Sequence, residues 1–205
     1  MLFITTALLI SLPGFAVAEP ASHKKANILI VGDSLSAAYG IDISQSWVSL
    51  LQNRLTAKSY NYTTINASIS GDTTQSGLAR LPAALQKHQP AIVIISLGGN
   101  DGLRGLPLNL SHSNLNAMIK LAKQAKAKVV LCGVRLPPNL GPVYNKKFQS
   151  MFQQLAIINH IGLVPELMKN VSDNAQMLQA DGIHPKVAGQ PIILENVWTV
   201  LKSQL

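Results

Sequence analysis

The chain has 205 residues, 47% of them hydrophobic and only 13% charged, which excludes a disordered or fibrous protein and suits one well-packed domain better than two. Lys and Arg number 17 against 9 Asp and Glu, and the formal net charge of +8 invites an anionic partner. The first element is Met1 to Ala18, apolar from Leu2 to Leu12 and free of charged side chains. It ends in Ala16-Val17-Ala18, the small-x-small pattern that signal peptidase reads. Residues 1–18 are therefore expected to be a signal peptide cleaved after Ala18, leaving 19–205 as a single periplasmic or secreted domain. The leader has no Cys to accept a lipid, and no other stretch is long and apolar enough to span a bilayer.

Beyond the leader, apolar runs alternate with amphipathic segments, the pattern of a parallel sheet wrapped by helices. Strands are predicted at 27–32, 62–67, 91–97, 128–134 and 162–164, and helices at 45–57, 75–86, 113–125, 142–159 and 186–203. Right-handed crossovers in this order give an α/β fold, a three-layer α/β/α sandwich of flavodoxin-like kind with a five-stranded parallel sheet ordered 2-1-3-4-5. The Pro- and Gly-rich run 135–144 reads as a loop on the rim of a site, since it follows a strand.

The first strand empties into Gly32-Asp33-Ser34, and ligands of open α/β sheets bind beyond the carboxyl ends of their strands. Ser34 thus stands where a nucleophile would. Taken alone, the tripeptide reads equally well as a turn with a capping residue. Three further clusters fall at the same edge: Ser68-Ile-Ser-Gly71-Asp72, Gly98-Gly99-Asn100-Asp101 and Asp181-Gly-Ile-His184-Pro185. Serine needs a general base, and a neutral imidazole suits that work near pH 7, which makes His184 the candidate. A carboxylate must hold its other ring nitrogen, and Asp181 lies three residues earlier. The backbone N–H groups of Ser34 and Gly71 and the Asn100 amide can donate to a developing oxyanion.

Each cluster also has a bland reading. Asp181 to Pro185 could be an ordinary turn, the glycines could serve backbone angles alone, and Asp33 and Asp101 could cap or brace loops. His23, His88, His112 and His160 are read as surface residues, with no pair at metal-ligand spacing. Neither phosphate-loop nor dinucleotide fingerprints occur, so no metal and no cofactor is expected. Cys132 is the only cysteine, a small buried hydrophobe with no intrachain disulfide partner. The scattered basic residues lack interleaved aromatics, which argues against nucleic acid and for weak attraction to anionic lipid surfaces.

The four clusters together resemble the SGNH, or GDSL, hydrolases, with Ser34, Gly71, Asn100 and His184 matching the residues that name that family. The resemblance spans nearly the whole mature chain and is nearest to the periplasmic thioesterase, lysophospholipase and arylesterase group. It is carried by Asn66-Ala-Ser-Ile-Ser-Gly-Asp-Thr73, Gly77-Leu-Ala-Arg-Leu-Pro82, Leu97-Gly-Gly-Asn-Asp-Gly-Leu-Arg-Gly105 and Asp181-Gly-Ile-His-Pro185. It implies a Ser34 nucleophile with Asp181 and His184, an oxyanion hole from Ser34, Gly71 and Asn100, and metal-free cleavage of acyl esters and thioesters. It also places an acyl-binding loop at Leu103, Arg104 and Leu106. An apolar groove of Leu103, Leu106, Leu136 and Leu140 is expected to hold the acyl chain. The enzyme is expected to be a monomer. Two alternatives stay open at this point, a carbohydrate or peptide deacylase with the same triad and a non-catalytic exported lipid-binding protein.

Overall fold

The computed structural model describes residues 25–205; the predicted leader 1–18, its cleavage point and His23 lie outside them. Five strands, β1 (Ala26–Gly32), β2 (Tyr62–Asn66), β3 (Ile92–Ser96), β4 (Lys128–Cys132) and β5 (Gly162–Val164), form one parallel sheet. Its order is 2-1-3-4-5, as expected. The helices are α1 (Trp47–Ala57), α2 (Thr74–His88), α3 (Gly99–Leu103), α4 (Leu108–Gln124), α5 (Pro142–Asn159) and α6 (Gln190–Leu201).

The central strands β1, β3 and β4 are apolar on both faces because both faces are covered, whereas the edge strand β2, Tyr62–Asn66, is half-buried and largely polar. Ile28 and Ile30 of β1, Ile92 and Ile94 of β3 and Val130 of β4 point toward α1 and α6. The alternate residues Leu29, Val31, Val93, Ile95 and Leu131 pack against α2, α4 and α5. Period-two alternation thus survives inside a run that looks uniform in the sequence. Each such side chain, fully buried, stabilises the fold by about 1.5–3 kcal/mol relative to exposure. Cys132 belongs to the first of these cores, and burial pushes its thiol up to about 12, so it behaves as the small hydrophobe expected.

Two differences from the sequence reading matter for the site. A short helix, α3, fills the segment after Gly98-Gly99, and α4 starts at Leu108 rather than near residue 113. The periodicity of α4 is weak in its first turn, where Asn109, Ser111 and His112 interrupt the apolar stripe. Ser111 is nonetheless buried, because its hydroxyl donates to Asp101 Oδ1 at 3.0 Å.

Candidate active site

Parallel topology delivers the ends of all five strands to one edge, and the four sequence clusters meet there. After β1 the chain turns without forming a helix: Ser36 and Ala37 N–H donate to the Asp33 carbonyl, and Leu35 N–H donates to Asp33 Oδ1 at 3.0 Å. Ser34, half-buried, is held at the head of that turn. Its Oγ lies 2.7 Å from His184 Nε2, across 150 residues of chain, and His184 Nδ1 lies 2.6 Å from Asp181 Oδ2. The other Asp181 oxygen accepts the N–H groups of Ile183 and His184. These contacts hold the Asp181 carboxyl down at about 2, with the backbone N–H of His184 contributing most. An ionised Asp181 accepts from Nδ1–H, which leaves Nε2 free to accept the Ser34 proton.

The expected oxyanion donors converge on the same place. Among the described residues neither Ser34 N–H nor Gly71 N–H has a protein acceptor. Both stand in reserve in a cavity that Ser34, Gly71 and Asn100 line together. Gly71 adopts φ +85°, a conformation only glycine takes without strain. Asn100 sits in the first turn of α3, and its Nδ2 donates one hydrogen to the Asp72 carbonyl at 2.9 Å, leaving the other for an incoming oxygen. Arg80 fixes this loop from beneath, bonding Asp72, the Ala67 carbonyl and the Gly32 carbonyl. If the second amide hydrogen meets charge that develops during reaction, Asn100→Ala should lower kcat about 10²–10³-fold with little change in KM. A kcat within threefold of wild type would remove Asn100 from that role.

Asp33 and Asp101 are the braces the bland reading allowed. Asp101 is buried and accepts from Thr74 N–H, Thr74 Oγ1 and Ser111 Oγ, tying together α2, α3 and α4. Asp33 is also buried, and desolvation pushes its carboxyl up to about 6 against the opposing pull of the Leu35 N–H and His184. The folded state therefore binds this proton more tightly than the unfolded chain, whose carboxyl titrates near 3.8. The resulting stabilisation is full below about pH 4 and is lost as pH rises through about 6, amounting to about 3 kcal/mol. Asp33→Asn keeps the oxygen that accepts from Leu35 and cannot ionise. Its urea midpoint should exceed wild type by the equivalent of about 1–3 kcal/mol at pH 8 and match it at pH 4. Equal shifts at both pH values would refute the buried charge as the cause.

The cavity at the site has a volume of about 810 Å³, large enough for a long acyl chain. Leu103 and Leu136 line it as expected; Leu106 and Leu140 do not. Gly105, at φ +64°, closes α3 with Gly105 N–H donating to the Gly102 carbonyl and Leu106 N–H to the Asp101 carbonyl. Leu106 follows that cap and is not part of the cavity wall. Leu140 sits in a 3-10 turn, Pro138–Leu140, and packs on the core beneath α4 and α5. Arg104 is also absent from the lining; its guanidinium donates to the Gly71 carbonyl at 3.0 Å and steadies the loop that carries Gly71.

Sequence reasoning missed part of the wall. Tyr39 shares the turn with Ser34, and its ring stands 4.3 Å from the His184 ring at a 37° tilt. Leu167 and Met168 follow β5; Arg135, the first residue of the rim loop expected after β4, also lines the cavity and is paired with Glu166 and Asp173. Leu167 and Met168 lie just past the end of β5, so the rule that located the four clusters could have located them too. No group of His, Cys, Asp and Glu suited to a metal ion occurs among the described residues.

Known proteins share this arrangement over most of the chain. A model of the GDSL-like lipase/acylhydrolase family matches residues 30–192. "Esterase TesA" of Pseudomonas aeruginosa is 51% identical over 178 residues, 87% of this chain and 89% of that protein. A crystal structure of TesA matches with a TM-score of 0.86, covering 87% of this chain and 99% of that one. An arylesterase of Vibrio mimicus is 44% identical over 96% of this chain and 98% of its own length. "Thioesterase 1/protease 1/lysophospholipase L1" of Escherichia coli is 44% identical over 82% of this chain and 79% of its own length. Fold, matched span and the turn after β1 agree, and this chain belongs to the GDSL-like lipase/acylhydrolase family.

Proposed function

We propose that this protein is a serine hydrolase that cleaves carboxylic esters and thioesters of aliphatic acyl chains, of lysophospholipid, arylester or acyl-CoA type, through an acyl-Ser34 intermediate. The observation that carries the reading is the chain of contacts from Ser34 Oγ through His184 to Asp181, opening on a cavity with apolar walls. Relatives named esterase, arylesterase, thioesterase and lysophospholipase support it.

Ser34 Oγ attacks the acyl carbon while its proton passes to His184 Nε2. The carbonyl oxygen takes negative charge between the N–H groups of Ser34 and Gly71 and the Asn100 amide. Collapse breaks the bond to the leaving oxygen or sulfur, which takes the proton from His184 and departs as alcohol or thiol. Water then gives a proton to Nε2 and its oxygen to the acyl carbon, releasing the acid and restoring Ser34. The acyl chain lies along Leu103, Leu136 and Met168, each buried methylene adding about 0.8 kcal/mol. A panel of esters from two to sixteen carbons should therefore show kcat/KM rising by up to about fourfold per methylene until the cavity is filled. A flat profile, or a preference for acetylated sugars over long acyl chains, would overturn the substrate class.

The same reading includes export of residues 19–205 as a monomeric domain, no nucleic-acid partner, and an anionic lipid surface as a weak partner of the +8 charge. An N-terminus at Glu19, found by sequencing the exported protein, is the expected result for the leader; an intact Met1 would overturn it.

A further inference from the structure

The large apolar side chains left exposed are unevenly placed. Helices of a parallel α/β sheet start at the edge where the strands end, so first turns and strand-following loops share the edge of the site. Tyr39, Ile69, Leu103 and Ile183 stand exposed on the loops that carry or flank Ser34, Gly71, Asn100 and His184. Just beyond them, Ile43 is 69% exposed ahead of α1 and Val143 is 68% exposed in the first turn of α5. These two lie on opposite sides of the sheet, since α1 packs on one face and α5 on the other. The far edge exposes only Tyr60, Ile157 and Ile158 among the described residues.

Charge is distributed the other way. Lys58, Lys87, Lys126, Lys128 and Lys202 sit at helix ends or strand starts on the far edge. At the site edge most acids are already paired, Asp72 with Arg80, Glu166 and Asp173 with Arg135, and Asp181 with His184. Arg104, Lys146, Lys147 and Lys186 have no carboxylate partner there among the described residues. The edge is an apolar rim around an apolar cavity, with a few cations at its border that no carboxylate neutralises among the described residues.

We infer that this rim docks the enzyme on the surface of phospholipid aggregates, with the cavity mouth facing the lipid. Exposed side chains of Ile43, Ile69 and Val143 enter between the acyl chains, and Arg104, Lys146, Lys147 and Lys186 meet headgroup phosphates. The match is one of chemistry: a phospholipid surface offers an apolar layer beneath a layer of phosphate, in the order this edge presents its partners. Apolar contact seats the face, because most of the lysines point away at the far edge. The inference rests on the hydrolase reading only for its purpose; docking is separable from turnover.

The test uses the protein recovered after export, wild type and variants sharing one N-terminus. Ile43→Ser with Val143→Ser should keep kcat/KM on a monomeric short-chain ester within about twofold, which also shows that the fold is intact. Its partition onto phosphatidylcholine vesicles, read by co-sedimentation, should fall at least about tenfold, and its rate on micellar lysophosphatidylcholine should fall with it. Lys146→Glu with Lys147→Glu should weaken binding by a smaller, salt-dependent factor. Measured also with Ser34→Ala protein, binding should be unchanged, so a failed hydrolysis reading would leave the docking result standing. Unchanged partition of the Ile43 and Val143 variant overturns the inference. So does wild-type binding confined to anionic vesicles and abolished by salt, or a dimer that this variant dissociates.

Discussion

Ser34→Ala lowers turnover of a chromogenic acyl ester by about 10⁴–10⁶-fold while leaving the fold and the substrate affinity near wild type. The size follows from what the substitution removes and what it keeps. Without Oγ no acyl-enzyme forms, and only direct attack by water remains. That water still meets the backbone donors, the Asn100 amide and the apolar cavity, which accounts for the residual rate that such variants retain over the uncatalysed reaction. The Ser34 side chain bonds only to His184 among the described residues, and its backbone N–H survives in alanine, so stability changes by less than about 1 kcal/mol. Two measurements check the result. Single-site phosphonylation by a fluorophosphonate should add mass to the wild type and none to the variant. A variant rate within tenfold of wild type would place the nucleophile elsewhere.

The sheet was legible because its central strands are unbroken apolar runs bounded by turn residues, and the strand order followed from crossover handedness. The candidate site was legible for a related reason: strand ends share an edge, so Ser34, Gly71, Asn100 and His184 could be gathered without coordinates. What stayed hidden depends on contacts distant in sequence. Helix α3 is five residues long and opens on Gly98 at φ +114°, leaving no apolar period to read. The start of α4 is hidden because buried Ser111 and Asn114 bond to Asp101 and to Thr74 Oγ1, and a buried polar pair looks like surface in a sequence. Leu106 was assigned to the cavity from the acyl-binding loop that the resemblance implies, and it follows the cap of α3 outside the cavity wall, a detail no spacing rule carries. Tyr39 over His184 is likewise a meeting of residues 145 positions apart.

Asp181→Asn lowers kcat about 10⁴-fold with little effect on KM. The asparagine oxygen can still accept from the N–H groups of Ile183 and His184, which hold this loop at 2.9 and 3.0 Å. Its amide nitrogen then faces His184 Nδ1 as a donor, where the carboxylate had been an acceptor at 2.6 Å. Nδ1 must accept, the ring proton moves to Nε2, and Nε2 can no longer take the proton of Ser34. The ring itself stays in place, stacked beside Tyr39 at 4.3 Å, so the loss is one of tautomer rather than position. The carboxylate is also needed to balance the imidazolium that forms in the transition state, and asparagine carries no charge for that. Asp181 has its carboxyl lowered from 3.8 to about 2, so its share of stability is present above about pH 4 and is lost as pH falls through 2. It stays ionised from pH 4 to pH 9, and any change of wild-type rate within that range has another source. The decisive comparison is kcat for Asp181→Asn against wild type at pH 8, with the thermal midpoint measured alongside. A large loss of kcat at an unchanged midpoint is the expected result, and a kcat within tenfold would mean that His184 takes its orientation from the loop backbone and Tyr39 alone.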